Sequence, residues 1–170
     1  SQGADEPFKR YKITTTGISP RSIPGQPGGI HVANSDEHDE YGYSQEGSQN
    51  RIDMMDKRFA KLKTAESDLP KPQVFGDPEA LVSFIAWGSN KGPVLDAIEI
   101  LKTRKITANF LHINVVWPFP GKEVKEFLTK ADHSVVVENN ATGQLRGLIK
   151  QETLLDCQTS LNKYDGRPFY

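Results

Sequence analysis

Leu81-Val82-Ser83-Phe84-Ile85-Ala86-Trp87-Gly88-Ser89 is a mostly apolar run of strand length that stops at a glycine turn. Apolar at nearly every position, it suits a strand covered on both faces rather than one with a wet side. Ser89 or Asn90 can cap a following helix, Pro93 suits its first turn, and Val94, Ile98 and Leu101 mark one buried stripe. The pattern then repeats. Phe110 to Val116 reads as a second strand ending in Trp117-Pro118-Phe119-Pro120, and Pro120 opens a helix carrying Val124, Phe127 and Leu128. Ser134-Val135-Val136-Val137-Glu138 reads as a third, ending in Glu138-Asn139-Asn140. It feeds a helix from about Thr142 to Leu155 with Leu145, Leu148 and Ile149 facing inward. Such alternation predicts an α/β layered domain with a largely parallel sheet. The loops after all three strands then emerge along one edge, where such sheets place binding surfaces.

Upstream the texture changes. Ile18-Ser19-Pro20-Arg21-Ser22-Ile23-Pro24-Gly25-Gln26-Pro27-Gly28-Gly29 carries too much proline and glycine to be helix. Short extended pieces are expected at Tyr11 to Thr15 and Ile30 to Ala33, then a loop over Ser35 to Gly42. One helix is expected from about Ser48 to Thr64, with Ile52, Met55, Phe59 and Leu62 on a single stripe and Asp53 with Lys57 as a flanking i,i+4 pair. The expected organisation is an extended arm with one amphipathic helix over residues 1–70, wrapping an α/β domain over 71–170. On this reading the stripe packs the arm to that domain.

Composition removes several function classes. A formal net charge of -1, with 25% charged residues, gives no bulk attraction to nucleic acid or membrane. No apolar run approaches the roughly 20 residues of a membrane-spanning helix, and Ser1 to Pro7 lacks the blocks of a signal peptide. The single cysteine, Cys157, excludes an internal disulfide and cannot alone hold a structural zinc or an iron-sulfur cluster. It reads as buried filler in a cytoplasmic chain, so the Asn140-Ala141-Thr142 sequon carries no weight.

Three segments invite chemistry. Gly88-Ser89-Asn90-Lys91-Gly92 can offer backbone N–H groups to an anion or nucleotide at a helix start. It matches neither G-x-x-x-x-G-K-[ST] nor G-x-G-x-x-G, and a tight strand-to-helix turn explains it equally. Glu138, at the end of a buried strand, sits where desolvation perturbs a carboxylate. With no histidine or nucleophile nearby in sequence, a structural or subunit-contact role suits it and Asn139 and Asn140 better than catalysis. Asp36-Glu37-His38-Asp39-Glu40 mixes oxygen ligands with an imidazole, but consecutive residues rarely converge on one ion. A solvated loop, or one that pairs with arginines of a partner, is the expectation, with His38 and Glu40 as interface candidates. His31, His112 and His133 read as packing or surface residues. No catalytic, cofactor-binding or metal-ligating set stands out. The residues by themselves support an α/β accessory domain better than a self-sufficient enzyme.

The motifs in combination resemble a known family. Phe8-Lys9-Arg10-Tyr11-Lys12-Ile13-Thr14, then Gly17-Ile18-Ser19-Pro20-Arg21 and Ile23-Pro24-Gly25, resemble the segment opening the second domain of the alpha subunit of 2-oxoacid:ferredoxin oxidoreductases. The resemblance continues through Glu37-His38-Asp39-Glu40-x-Gly42, Asn50-Arg51, Met54-Met55, Lys57-Arg58 and Lys61-Leu62. It takes in Trp87-Gly88-Ser89-x-Lys91-Gly92, Val116-Trp117-Pro118-Phe119-Pro120 and Val137 to Leu145, and closes on Lys163-Tyr164-Asp165-Gly166-Arg167-Pro168-Phe169. It covers nearly the whole chain in order, and within the family it looks most like the 2-oxoglutarate-type enzyme. It implies a transketolase C-terminal-like domain: three α/β/α layers around a five-stranded, mostly parallel mixed sheet with one antiparallel strand. It also implies an assembled enzyme that converts a 2-oxoacid, coenzyme A and oxidised ferredoxin to acyl-CoA, carbon dioxide and reduced ferredoxin. Thiamine diphosphate carries that chemistry, with magnesium and an iron-sulfur cluster held elsewhere and a beta subunit as partner. The regions that hold the cofactor in the family are absent from this sequence, so the chain is expected to be a piece or a separately encoded part, inactive alone. Trp87, Trp117, Glu138, Asn139 and Asn140 are then the expected contact edge toward a neighbouring domain or subunit.

Overall fold

The computed structural model describes residues 6–170. Ser1 to Asp5, most of the segment compared with a signal peptide, lie outside the described residues. The chain divides into two compact units, Ser1–Asp68 and Leu69–Tyr170.

The first unit is an irregular chain folded over one helix, α1 (Ser48–Ala65). Polar bonds hold the irregular part. Tyr11 N–H donates to the Glu40 carbonyl at 2.9 Å, and the Glu40 carboxylate accepts from Ile13 N–H and Lys9 Nζ, each at 2.9 Å. Asp39 Oδ1 accepts the N–H groups of Tyr41, Gly42 and Tyr43 and so closes a tight turn. The extended pieces expected at Tyr11 to Thr15 and Ile30 to Ala33 join no sheet, and among its described residues the unit has only an isolated bridge, His38 to Ser44. Gly17 (φ +72°) presses so close to α1 that a Cβ there would lie 2.3 Å from the Lys57 carbonyl oxygen, so no other residue fits.

The helix face that meets this irregular chain is not the stripe expected to pack the arm onto residues 71–170. Met54 is buried at 1% exposure, whereas Phe59 is 58% exposed and Ile52 is also exposed. Asn50 donates to the His38 carbonyl, Arg51 and Arg58 reach Glu37, and Thr64 donates to the Thr16 carbonyl. Asn50, Met54, Arg58 and Thr64 line one side of α1, and the Ile52–Met55–Phe59–Leu62 stripe lies on the opposite side. Specific polar partners, not apolar periodicity, set the rotation of this helix.

The second unit carries the predicted alternation. It runs β1 (Gln73–Gly76), β2 (Val82–Trp87), a single 3₁₀ turn over Gly88–Asn90, α2 (Lys91–Thr103), β3 (Ala108–Ile113), α3 (Gly121–Lys130), β4 (His133–Glu138), α4 (Gln144–Thr153) and β5 (Thr159–Asn162). The strand order is β1-β3-β2-β4-β5. The last four strands are parallel and β1 runs antiparallel to β3, the mixed sheet that the family resemblance implies. Every residue of β3 is buried, the polar Asn109 and His112 included, as its place between β1 and β2 requires. It ends three residues earlier than predicted, and Val116 instead packs from the following loop.

Alternate residues of the strands feed two cores on opposite faces. Ile85, Leu111, Ile113 and Val136 pack with Val124 and Leu128 of α3 and Leu145 and Ile149 of α4. Ala86, Phe110 and Val137 pack with Val94 and Ile98 of α2. The period of two along each strand therefore yields three layers, α2 over one face and α3 with α4 over the other.

Candidate functional site

β2 and β4 are parallel neighbours, with Ile85 opposite Val136. The chain leaves β2 toward α2 on one face and leaves β4 toward α4 on the other. Between two such strands a crevice opens beyond their carboxyl ends, the usual ligand position in an open α/β sheet. Here it is a hollow of about 240 Å³ lined by Trp87, Ser89, Asn90, Asn139, Asn140 and Gln144. A second hollow of about 470 Å³ shares Ser89 and Asn139 and is bounded by Lys163, Tyr164 and Arg167.

Glu138, the last residue of β4, is fully buried. Its carboxylate accepts from Leu145 N–H at 2.6 Å, Arg146 N–H at 3.0 Å and Asn140 Nδ2 at 2.8 Å. The first two are free backbone donors at the start of α4, where the helix dipole favours a negative charge. Asn140 Oδ1 in turn accepts Gly143 N–H at 2.8 Å, with Thr142 and Gln144 N–H at 3.2 Å. Gly143 (φ +66°) takes the left-handed conformation that brings these groups together. Asn162 Nδ2 donates to the Asn140 carbonyl at 2.8 Å, tying β5 into the same knot. Glu138 and Asn140 thus serve the chain's own helix start, and the anion that α4 would otherwise attract is supplied from within.

The remaining candidates on this edge face outward. Trp87 is 47% exposed and Trp117, in the loop after β3, is 58% exposed; Asn139 is exposed and shares a hollow with Trp87. His112 underpins this edge: its Nε2 lies 3.2 Å from the Gly88 carbonyl oxygen and fixes the turn after β2. Asn90 Nδ2 donates to the Val137 carbonyl at 3.3 Å and ties the turn after β2 to strand β4. Neither role was legible in sequence, because each depends on strands that are neighbours only in space. That Lys163 and Arg167 line a hollow with Ser89 was equally hidden.

His38 and Glu40 belong to the first unit. Glu40 is engaged by Lys9 and Ile13, and His38 Nδ1 lies 2.9 Å from the Asp36 carbonyl with its ring centroid 4.1 Å from that of Tyr11. The acidic loop is therefore not a free, solvated segment. Its strongest pairing is Glu37 with Arg58 and Arg51, each at 2.5 Å, and these are arginines of the same chain rather than a partner's. Hydrogen bonds from Arg58, then Arg51, pull the Glu37 carboxyl down to about 2. Among the described residues no group of three His, Cys, Asp or Glu is placed to hold a metal ion. Burial pushes the Cys157 thiol up to about 11, which makes it a packing residue rather than a nucleophile.

Residues 80–167, which hold this sheet edge and both tryptophans, match the pyruvate:ferredoxin oxidoreductase core domain II family. The chain belongs to that family. It is 38% identical over 166 residues to 2-oxoacid:ferredoxin oxidoreductase 2, subunit alpha, of Aeropyrum pernix, covering 96% of this chain and 26% of that protein. It is 37% identical over 164 residues to the 2-oxoacid:ferredoxin oxidoreductase subunit alpha of Saccharolobus solfataricus, covering 95% and 26%. A solved 2-oxoglutarate:ferredoxin oxidoreductase from Magnetococcus marinus, with 2-oxoglutarate, coenzyme A and succinyl-CoA bound, superposes with a TM-score of 0.78 at 31% identity, over 97% of this chain and 29% of that one. The chain spans about a quarter of the length of the curated relatives it matches. No helix among the described residues is long and apolar enough to cross a membrane.

Proposed function

We propose that this chain is the second-domain portion of the alpha subunit of a thiamine diphosphate-dependent 2-oxoacid:ferredoxin oxidoreductase, and that its work is assembly and active-site architecture. The observation that carries the reading is the superposition across both units of the chain on a 2-oxoglutarate:ferredoxin oxidoreductase. Residues up to about 70 act as an arm and residues 71–170 as the transketolase C-terminal-like body. In the assembled enzyme a 2-oxoacid, with 2-oxoglutarate as first candidate, coenzyme A and ferredoxin are the reactants. Thiamine diphosphate, magnesium and an iron-sulfur cluster lie outside this chain, and a beta subunit is the partner. The lone reduced thiol suits the cytoplasm.

The edge carrying Trp87, Trp117 and Asn139 is the contact surface of this reading. Two exposed indoles beside a carboxamide have the composition of an interface centre rather than of a solvated rim. The purified chain should co-elute with the beta subunit of such an oxidoreductase, and calorimetry should detect no micromolar binding of thiamine diphosphate to the chain alone. Failure to co-elute, or tight cofactor binding, overturns the reading.

A second reading, an anion-binding module at residues 88–92, is favoured by one observation: Ser89 shares its hollow with Lys163 and Arg167. Titration with pyrophosphate tests it. A ligand at 100 times its dissociation constant raises stability by about 2.7 kcal/mol, and an unchanged melting temperature rules this reading out.

A further inference from the structure

On the face of the sheet that carries α3, the strip between α3 and the edge strand β1 is a groove of about 310 Å³. Its walls are apolar: Val74 from β1, Leu111 from β3, Phe127 from α3, and Pro72 and Pro78 at the ends. Its floor is polar. Ser83 and Asn109 sit side by side in the β2–β3 register, next to Leu111, and point to one face of the pleat.

Asn109 is only 8% exposed. Its Nδ2 donates to the Asp77 carbonyl at 3.1 Å, which fixes the amide orientation, since a flip would forfeit that bond. Its Oδ1 is buried, and no donor among the described residues reaches it. A buried acceptor left unsatisfied costs about 1–3 kcal/mol, and native chains keep few of them. Asn109 lines the floor of an apolar groove of ligand size. At the rim Glu123 and Glu126 stand with Lys130, and Lys71 lies 3.6 Å from Glu123, so the two carboxylates are matched by two ammonium groups and no net field selects an ion.

We propose that the groove between β1 and α3 is a binding site for a small, uncharged, largely apolar ligand that presents one N–H donor to Asn109 Oδ1. The walls take the body of the ligand, Phe127 covers it from α3, and the carbonyl reads the donor. Discrimination against the same shape without an N–H follows, because that shape leaves the buried acceptor unpaired.

The test uses the full chain labelled with ¹⁵N and two probes, indole and 1-methylindole, which differ in the N–H. Indole should give saturable shifts at the Asn109 side-chain amide and at the Leu111 and Phe127 backbone amides, and 1-methylindole should bind about tenfold or more weakly. Val74 is solvent-facing, so Val74→Arg should leave the fold intact, block the groove and abolish both titrations. Absence of saturation at millimolar indole overturns the proposal, as do equal affinities for the two probes or undiminished binding to Val74→Arg.

Discussion

Glu138 is fully buried and holds three donors at the start of α4. Glu138→Gln keeps the size of the side chain but turns an amide N–H₂ toward at least one of them. Hydrogen bonds to a charged group are worth about 1.5–3 kcal/mol each, and the substitution should lower stability by about 2–3 kcal/mol in urea unfolding. A loss below about 0.5 kcal/mol, the size of a surface change, would show that the carboxylate is dispensable. Glu37 makes a prediction about pH. Its folded-state pKa of about 2 lies below the ordinary 4.5. Stability from this group is therefore present above about pH 4.5 and is lost as pH falls toward 2. Arg51 is largely exposed and solvent screens part of the gain. Between those two pH values the native chain should lose about 1–2 kcal/mol more than Glu37→Gln does. Parallel curves for the two chains would remove the pairing as a source of stability.

Among the elements, α1 separates periodicity from burial most clearly. Met54→Ala should cost about 2–5 kcal/mol, the range for a buried methionine, leucine or isoleucine. Phe59→Ala should change the stability of the isolated chain by less than about 0.5 kcal/mol despite the larger side chain. Chemical denaturation of the two variants decides it, and a reversed order would place the Ile52–Phe59 stripe inside. The apolar spacing of that stripe was visible in sequence, and so was the helix itself. Which face turns inward was not, because the partners Glu37, His38 and Thr16 lie 12 or more positions upstream of the residues they bind. α2, α3 and α4 behaved differently. Their stripes predicted the buried residues Val94, Ile98, Val124, Leu128, Leu145 and Ile149, since a sheet face offers an apolar surface wherever the helix lands.

At the scale of the whole molecule, assembly is the measurable property. On the proposed function, Trp117→Ala should weaken affinity for the beta subunit of such an oxidoreductase by at least about 2 kcal/mol, the hot-spot threshold, while circular dichroism of the isolated chain stays unchanged. Its exposure in this chain is why the fold should tolerate the loss. If the variant unfolds, Trp117 is core; if it binds as well as the native chain, the edge is not an interface.

The sequence by itself determined the α/β class, the three principal parallel strands, the helices between them and the edge on which Trp87, Trp117 and Glu138 would gather. All of these rest on local periodicity, strand-ending turns and the handedness of crossover connections. Motif order along the chain identified the family without any coordinates. Tertiary structure alone decided what became of the polar residues. Glu138 looked structural or subunit-facing and is consumed by its own α4, Glu37 looked solvated and is clasped by its own arginines, and His112 looked incidental and holds the turn at Gly88. A hydrophobic side chain needs only to be covered, and many neighbours will do. A hydrogen bond needs one partner at one distance and angle, and that partner comes from wherever the chain happens to pass.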